Sequence, residues 1–198
     1  MAIHPIRRVS LVNYPSREIN CKIVYYGPGL GGKTTNLRQV YTAVPSNHRG
    51  TLVSLTTRGD RTLFFDFLPV DAGCIGGFRV RFHLYTVPGQ IYYSPNRKLV
   101  LRGADGVVFV ADSQKERFEA GVESLRDLYV NLVENQTGRI PLVFQYNKRD
   151  AASALSVREL EDSFNPGHLP YFEAVACEGK GVPETLRAIC KLVARTIQ

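Results

Sequence analysis

The chain has 198 residues, of which 44% are hydrophobic and 22% charged, and its formal net charge is +7. This length and composition are typical of one globular domain with a substantial core. The sequence contains no apolar run of the ~18 residues that a membrane span needs, no signal-peptide pattern and no lipidation motif. We therefore expect a cytoplasmic protein. Its four cysteines lack the paired spacing of a metal site and are expected to stay reduced.

The excess of positive charge does not by itself identify a partner, because it could serve nucleic acid, anionic lipid or an acidic protein. The chain has no block rich in Lys and Arg, so nucleic acid is not the expected partner. Residues 1–18 carry Arg7, Arg8 and Arg17 without clear periodicity. They are predicted to form a basic N-terminal extension, either a flexible arm or a docking segment, ahead of a single domain at 19–198.

The first predicted strand, about 19–26, leads into a glycine-rich stretch that precedes an amphipathic helix. This stretch, 27–34, has the spacing Gly, four residues, Gly-Lys-Thr, which is typical of a phosphate-binding loop. Such a loop points several backbone N–H groups at a polyphosphate in front of the helix N-terminus. We expect Lys33 to reach the β- and γ-phosphates and Thr34 to coordinate Mg²⁺. The residues predicted to contact the phosphates are Gly27, Gly29, Leu30, Gly31, Gly32, Lys33, Thr34 and Thr35.

The helix after this loop is predicted to end near Val44, because Pro45 cannot continue it. Residues 45–61 are mostly polar, and a loop of this length usually has a function or is mobile. A strand at 62–68, a turn within 71–77 and an alternating strand from residue 78 then predict a β-hairpin.

Three further apolar strands are predicted at 106–111, 140–146 and 171–175, with amphipathic helices after each of them. The apolar residues assigned to the first of these helices are Phe118, Val122, Leu125, Tyr129 and Leu132. A capping box from Ser156 to Glu159 opens the next helix. This order predicts an α/β fold of the three-layer P-loop type, with a mostly parallel six-stranded sheet, one antiparallel hairpin strand and helices on both faces. Ligands of such sheets bind at the carboxyl ends of the strands.

Two stretches at these carboxyl ends have the chemistry of a guanine site. Asp150 can accept hydrogen bonds from N1–H and the 2-amino group of guanine, a pair that adenine does not offer. Asn147 can bond the other polar edge of the base, and the stem of Lys148 can pack over the ring. Ala176 is placed to donate its N–H to guanine O6, and Cys177 follows it. The structural alternatives are a polar turn and a glycine turn.

A third stretch, Thr-Val-Pro-Gly-Gln at 86–90, ends the second hairpin strand. There Gly89 can offer its N–H to a γ-phosphate, and Gln90 can orient an attacking water. A proline-glycine turn without a further role is the alternative.

Taken in this order, these motifs resemble those of the Ras-type small GTPases over about 19–197. The segments 24–29, 61–69 and 82–90 are similar more specifically to the bacterial mutual-gliding (MglA) family of cell-polarity GTPases. The resemblance implies a switch that binds GTP, GDP and Mg²⁺ and acts on motility or on polar protein placement. It also implies downstream effectors, recruitment to a cell pole and a roadblock-fold activating partner of the MglB type.

Two positions in the resemblance concern the metal and the transition state. Thr86 stands where Ras-type proteins carry an Asp that holds a Mg²⁺-bound water, so the site loses a charge unless Asp66 compensates. The MglA family shares this substitution. By the resemblance Arg61 is an internal arginine finger, although a solvated loop arginine is the alternative and Arg58 could be confused with it. The predicted catalytic residues are Arg61, Gln90 and Lys33, and the predicted metal ligands are Thr34, Thr62 and Asp66.

The sequence thus predicts a small GTPase that hydrolyses GTP slowly without help. A P-loop ATPase or kinase would share the phosphate loop, but the stretch 147–150 argues against it. A scaffold that binds nucleotide with negligible hydrolysis is a second alternative, because Thr86 weakens the metal site. The basic charge leaves room for an association with lipid or nucleic acid.

Overall fold

The computed structural model describes residues 11–57, 61–88 and 94–197, with side chains at all of these except 11, 55–57, 61–64, 94 and 95. Within these ranges the strands are β1 (Leu11–Asn13), β2 (Glu18–Tyr26), β3 (Val53–Thr57), β4 (Arg61–Ile75), β5 (Phe78–Thr86), β6 (Gly106–Asp112), β7 (Leu142–Asn147) and β8 (Tyr171–Glu173). The helices are α1 (Lys33–Ala43), α2 (Ser94–Leu101), α3 (Phe118–Glu134), α4 (Val157–Phe164) and α5 (Val182–Ile197).

One sheet joins all eight of these strands, in the order β3-β4-β5-β2-β6-β7-β8 with β1 paired to β2. The pairs from β5 to β8 are parallel, whereas β4 is antiparallel to both β3 and β5. The carboxyl ends of β2, β5, β6 and β7 therefore meet at one edge of the sheet. The predicted α/β class with a mostly parallel sheet is confirmed.

Two hydrophobic cores cover the two faces of the sheet. Along β2 successive side chains alternate between them, so Ile23 and Tyr25 pack with α1 and α5, while Val24 and Tyr26 pack with α2, α3 and α4. Every residue of β6 is buried, as expected of a central strand between two helical layers. At about 1.5–3 kcal/mol for each large apolar side chain, these cores supply the main stabilisation of the fold.

The predicted count of six strands was too low. The strand β3 lies in the stretch 45–61 that the sequence predicted to be irregular, and it pairs antiparallel with β4. Its alternating residues are embedded in a polar segment, so only the pairing with β4 defines it. The strand β1 lies within the predicted extension 1–18 and pairs antiparallel with Glu18–Asn20 of β2. The domain boundary at residue 19 stays a prediction.

The hairpin turn also lies further along the chain than its first predicted residues. The strand β4 continues through Asp71 with a register shift before Cys74, and the turn is formed by Gly76 and Gly77, both with positive φ. At each of these glycines a Cβ would have no atom within 4 Å, so backbone conformation and not close packing explains the residue type.

The end of α1 and the start of α4 followed the local signals closely, whereas α2 was not among the predicted helices. The helix α1 ends at Ala43 before Pro45, and both bonds of the Ser156–Glu159 capping box open α4. The prediction that Tyr129 lies on the buried face of α3 was wrong, because its side chain is 46% exposed. Its neighbour Leu128 is fully buried on that helix. None of the helices among the described residues is both long and apolar enough to cross a lipid bilayer.

Candidate functional site

The phosphate loop lies between β2 and α1, at the carboxyl edge of the sheet, as the sequence predicts. Gly27 has a φ of +140°, and a Cβ at this position would overlap the Val110 carbonyl oxygen of β6. Gly32 has a φ of +101° and forms the N-cap of α1. A Cβ on Gly32 would overlap the side-chain nitrogen of Asn147. The loop is therefore packed tightly against the ends of β6 and β7, which requires glycine at both positions.

Lys33 begins α1 and turns its side chain back into this loop. Its Nζ donates to the carbonyl oxygens of Gly27 at 2.8 Å and Pro28 at 2.6 Å. Burial lowers the pKa of Lys33 to about 7, with a smaller effect in the same direction from the nearby Arg97. No acidic residue lies in the first turn of α1. The N-terminus of α1 and the Lys33 ammonium thus form a region suited to an anion.

The Asp66 carboxylate lies next to the loop and is fully buried. One of its oxygens accepts hydrogen bonds from the Thr34 hydroxyl at 2.6 Å and the Thr86 hydroxyl at 2.8 Å, and the other accepts from the Ser54 hydroxyl. The Asp66 N–H in turn donates to the Thr86 oxygen at 2.8 Å. Asp66 therefore brings a negative charge to the uncharged Thr86 and to Thr34.

This set of oxygens fits Mg²⁺. The described residues contain no group of three His, Cys, Asp or Glu side chains that could hold a metal alone. One carboxylate beside one threonine hydroxyl, next to a loop predicted to bind phosphate, is instead the arrangement expected where Mg²⁺ is shared with phosphate oxygens.

A cleft of about 320 Å³ opens beside the phosphate loop. Its lining combines residues predicted for the phosphate with those predicted for the base: Leu30, Gly32, Thr35, Gln114, Asn147, Lys148, Asp150, Ala151, Ala176 and Cys177. The structure thus brings two sequence-distant motifs into one cavity at the carboxyl edge of the sheet.

Asn147 joins the two halves of this cleft and is itself buried. Its Nδ2 donates to the Gly31 carbonyl oxygen at 2.8 Å, and its Oδ1 accepts from the Ala176 N–H at 2.9 Å. The sequence predicts that the Ala176 N–H donates to guanine O6. In this structure the same N–H donates to Asn147 Oδ1.

Lys148 and Asp150 differ in how far their positions are fixed. Lys148 has a φ of +62°, and its Nζ forms an ion pair with the buried Asp112 at 2.6 Å and donates to Gln114 at 3.2 Å. These bonds hold its stem along the cleft. Asp150 presents an exposed carboxylate to the same cavity.

Other predicted residues are placed only in part. Arg61 and Thr62 begin β4, where their backbones pair with Thr57 and Thr56. Thr62 was predicted to be in a strand, whereas Arg61 was predicted to be in the preceding loop. The strand position of Arg61 follows from pairing with β3, the element that the sequence did not reveal. Gly89 and Gln90 lie outside the described residues. The Gly29 carbonyl oxygen accepts from Arg117 Nη2 at 2.8 Å.

Sequence reasoning missed Arg97 of α2, whose side chain is only 1% exposed. Its Nε donates to the Pro88 carbonyl oxygen at 2.8 Å, and its Nη1 contacts Asp127 of α3 at 2.9 Å. A single arginine in an amphipathic helix gives no local signal of burial, so its role depends on the tertiary structure.

A phosphate loop with its lysine and threonine, a buried carboxylate beside them and an Asn-Lys-x-Asp segment in one cleft define a small GTPase of the P-loop class. Comparison with known proteins agrees. The model of the ADP-ribosylation factor family matches residues 72–193. The chain belongs to this family of small GTPases, and such membership indicates binding of GTP and GDP, hydrolysis of GTP and, typically, use of Mg²⁺.

Two curated relatives cover most of the chain. The chain is 57% identical over 187 residues to the mutual gliding-motility protein MglA of Myxococcus xanthus. The matched region covers 93% of this chain and 96% of MglA. It is 30% identical over 190 residues to the human ADP-ribosylation factor-like protein 4A, covering 92% and 88% of the two chains. The similarity to MglA confirms the resemblance predicted from the sequence.

Proposed function

We propose that this chain is a molecular switch that cycles between GTP and GDP forms, hydrolyses GTP with a residue of its own as arginine finger, and controls motility or cell polarity. The observation that carries the nucleotide specificity is the shared cleft, whose lining includes both the exposed Asp150 and residues of the phosphate loop. The proposed cellular role is supported by the 57% identity to a gliding-motility protein.

Guanine is recognised by its two adjacent donors. Asp150 accepts from N1–H and the 2-amino group, while Lys148, held by Asp112, packs its stem along the ring. Adenine presents no such pair of donors and would leave the Asp150 charge unmatched. The phosphates lie against the N–H groups of the loop and the N-terminus of α1, with Lys33 turned toward them.

Thr34 and Asp66, whose side chains the structure describes, would hold Mg²⁺ together with Thr62 as the third proposed ligand. When bound, Mg²⁺ neutralises charge on the β- and γ-phosphates. The Asp66 carboxylate supplies the negative charge that Thr86 lacks, and the two side chains share a hydrogen bond. This contact favours a hydrolytic enzyme over a scaffold that only stores nucleotide.

Hydrolysis itself requires positioning and charge more than a base. Gly89 offers its N–H to the γ-phosphate, Gln90 orients the attacking water, and Arg61 stabilises the charge that spreads over the γ-phosphoryl oxygens. Unaided turnover is slow. A roadblock-fold partner of the MglB type repositions the segment that contains Arg61, and downstream effectors read the GTP form, with recruitment to a cell pole.

The first experiment is competition of GDP and ADP for purified protein in the presence of Mg²⁺, with Asp150→Ala and a matched control. Asp162→Ala removes an exposed carboxylate from α4, away from the cleft. We expect the wild type and Asp162→Ala to prefer GDP strongly, and Asp150→Ala to lose ~10²-fold or more of this preference. Equal affinity for ADP in the wild type would contradict the proposal.

The arginine finger is tested in single-turnover hydrolysis with a roadblock partner present. Arg61→Ala should lower the rate by ~10³-fold or more, whereas Arg58→Ala should leave it within a few-fold of wild type. The opposite pattern would identify Arg58 as the finger.

A further inference from the structure

Three polar side chains that do not line the nucleotide cleft form a hydrogen-bonded cluster. We name Asn36 of α1, Gln145 of β7 and Thr185 of α5 the amide cluster; all three are fully buried. Asn36 Nδ2 donates to Gln145 Oε1 at 2.8 Å, and Gln145 Nε2 donates back to Asn36 Oδ1 at 2.9 Å. Gln145 Nε2 also donates to the Thr185 hydroxyl oxygen at 3.0 Å.

Each member of the cluster is tied to one part of the nucleotide cleft. Asn36 Nδ2 donates to the carbonyl oxygen of Gly32, the phosphate-loop residue that caps α1, at 3.0 Å. The Thr185 hydroxyl donates to the Gly181 carbonyl oxygen at 2.6 Å, at the end of the loop that begins with Ala176. Gln145 lies two residues before Asn147 in β7. The cluster therefore links the phosphate side and the base side of the cleft.

The chemistry of the cluster is unusual for its location. A central parallel strand between two helical layers is normally apolar, because a buried amide without partners costs free energy. Here every N–H of both amide groups has an acceptor, and the reciprocal pair between Asn36 and Gln145 permits one separation and one orientation. A fully satisfied buried network of this kind specifies geometry more than it adds stability.

We propose that the amide cluster sets the distance between the phosphate loop and the base-binding loops, so that one nucleoside diphosphate fits both at once. This inference rests on the proposed function. A guanine nucleotide with a β-phosphate contacts both sides of the cleft, whereas GMP, which lacks that phosphate, depends far less on the loop. The cluster is thus expected to act on the affinity gained through the second phosphate, as a preorganised spacing does for any two linked contacts.

The test measures displacement of a fluorescent guanine nucleotide by GDP and by GMP, and takes the ratio of the two dissociation constants. Gln145→Leu leaves the amide of Asn36 without its reciprocal partner, and we expect the ratio of Kd for GMP to Kd for GDP to fall about tenfold. Thr185→Val keeps the shape of the side chain but removes the acceptor of Gln145 Nε2 and the donor to the Gly181 carbonyl. It should still fold and should lower the ratio about threefold.

Two further variants separate spacing from general stability. The exchanged pair Asn36→Gln with Gln145→Asn keeps two amides of the same total length and should restore the ratio to within about threefold of wild type. Asn165→Leu removes another buried amide, which bonds Glu161 and Leu169 away from the cleft. It should lower the melting temperature without changing the ratio.

A loss of affinity for GMP and GDP by the same factor would overturn the inference, because the cluster would then merely support the fold. An unchanged ratio in Gln145→Leu would do so as well. Failure of the proposed function is distinguishable, since the wild type would then bind ADP as tightly as GDP. In that event the ratio of the dissociation constant for AMP to that for ADP tests the same spacing.

Discussion

Gly27 shows at the scale of one residue how the phosphate loop depends on close packing. Its φ of +140° disfavours any side chain, and a Cβ would overlap the backbone of Val110, which cannot move without distorting β6. Gly27→Ala should therefore lower the free energy of unfolding by about 3 kcal/mol or more. Urea denaturation of the nucleotide-free protein measures this, since bound GDP would add its own binding free energy to the stability.

The hairpin provides the control for this substitution. Gly76 also has a positive φ, of +57°, but no atom lies within 4 Å of a Cβ there. Gly76→Ala should cost only about 1 kcal/mol, the conformational part of the effect. Similar losses for the two variants would show that strain and not overlap dominates at Gly27.

Asp66 carries the second prediction at the scale of one residue. Asp66→Asn removes the negative charge between Thr34 and Thr86, so the affinity of the site for Mg²⁺ should fall about 10–100-fold. We expect the Mg²⁺ concentration that half-suppresses GDP release to rise by this factor. Titration of the GDP release rate with Mg²⁺ checks it.

Asp71→Asn is the matched control for Asp66→Asn. Asp71 lies on the same strand and pairs with Arg81 at 2.8 Å, away from the phosphate loop. Its substitution should leave the Mg²⁺ titration unchanged. If Asp66→Asn releases GDP with the Mg²⁺ dependence of the wild type, Asp66 is not part of the metal site.

The contact between α2 and α3 shows at the scale of elements how burial decides the value of an ion pair. Arg97 and Lys98 are neighbours on α2, and each pairs with an acid of α3. Arg97 is 1% exposed and its partner Asp127 26%, whereas Lys98 and its partner Glu134 are 45% and 49% exposed. Arg97→Met should cost about 3 kcal/mol, because Asp127 and the Pro88 carbonyl lose a buried donor.

Lys98→Met isolates the effect of burial within the same helix. Its ion pair is largely solvated, so its loss should cost about 0.5 kcal/mol or less. Urea denaturation of the two variants gives both values. Equal costs would mean that the two pairs are screened alike and that the interface of α2 with α3 is open to water.

The elements that the sequence revealed are those whose signals are local. The phosphate loop follows an apolar strand, α1 stops before Pro45, and Ser156 with Glu159 opens α4, so a short window of residues determines each feature. The strand β3 has no such signal. Its residues become a strand only through pairing with β4, which a single sequence does not display.

The residues of the candidate site likewise fall into two groups, those that belong to local motifs and those whose role depends on tertiary contacts. Lys33, Thr34, Asn147 and Asp150 were predicted, because each belongs to a motif with fixed spacing. The orientation of Asp66 was open, since it depends on the pairing of β4 with β5 that brings Thr86 beside it. The amide cluster was missed because Asn36, Gln145 and Thr185 come from three elements, and each is an ordinary polar residue in its own segment.

At the scale of the whole molecule, the net charge of +7 predicts the salt dependence of nucleotide association. GDP is an anion, so the field of a positive protein should increase its rate of association, and salt should screen that field. Raising KCl from about 0.02 M to about 0.5 M should lower the association rate constant for GDP at least threefold. The dissociation rate constant should change much less, because in the proposed complex the phosphates lie within the loop. Guanosine, which carries no charge, is the control in the same stopped-flow measurement and should associate independently of salt. An equal salt dependence for guanosine and GDP would mean that salt acts on the conformation of the cleft and that the charge of the molecule does not steer its ligand.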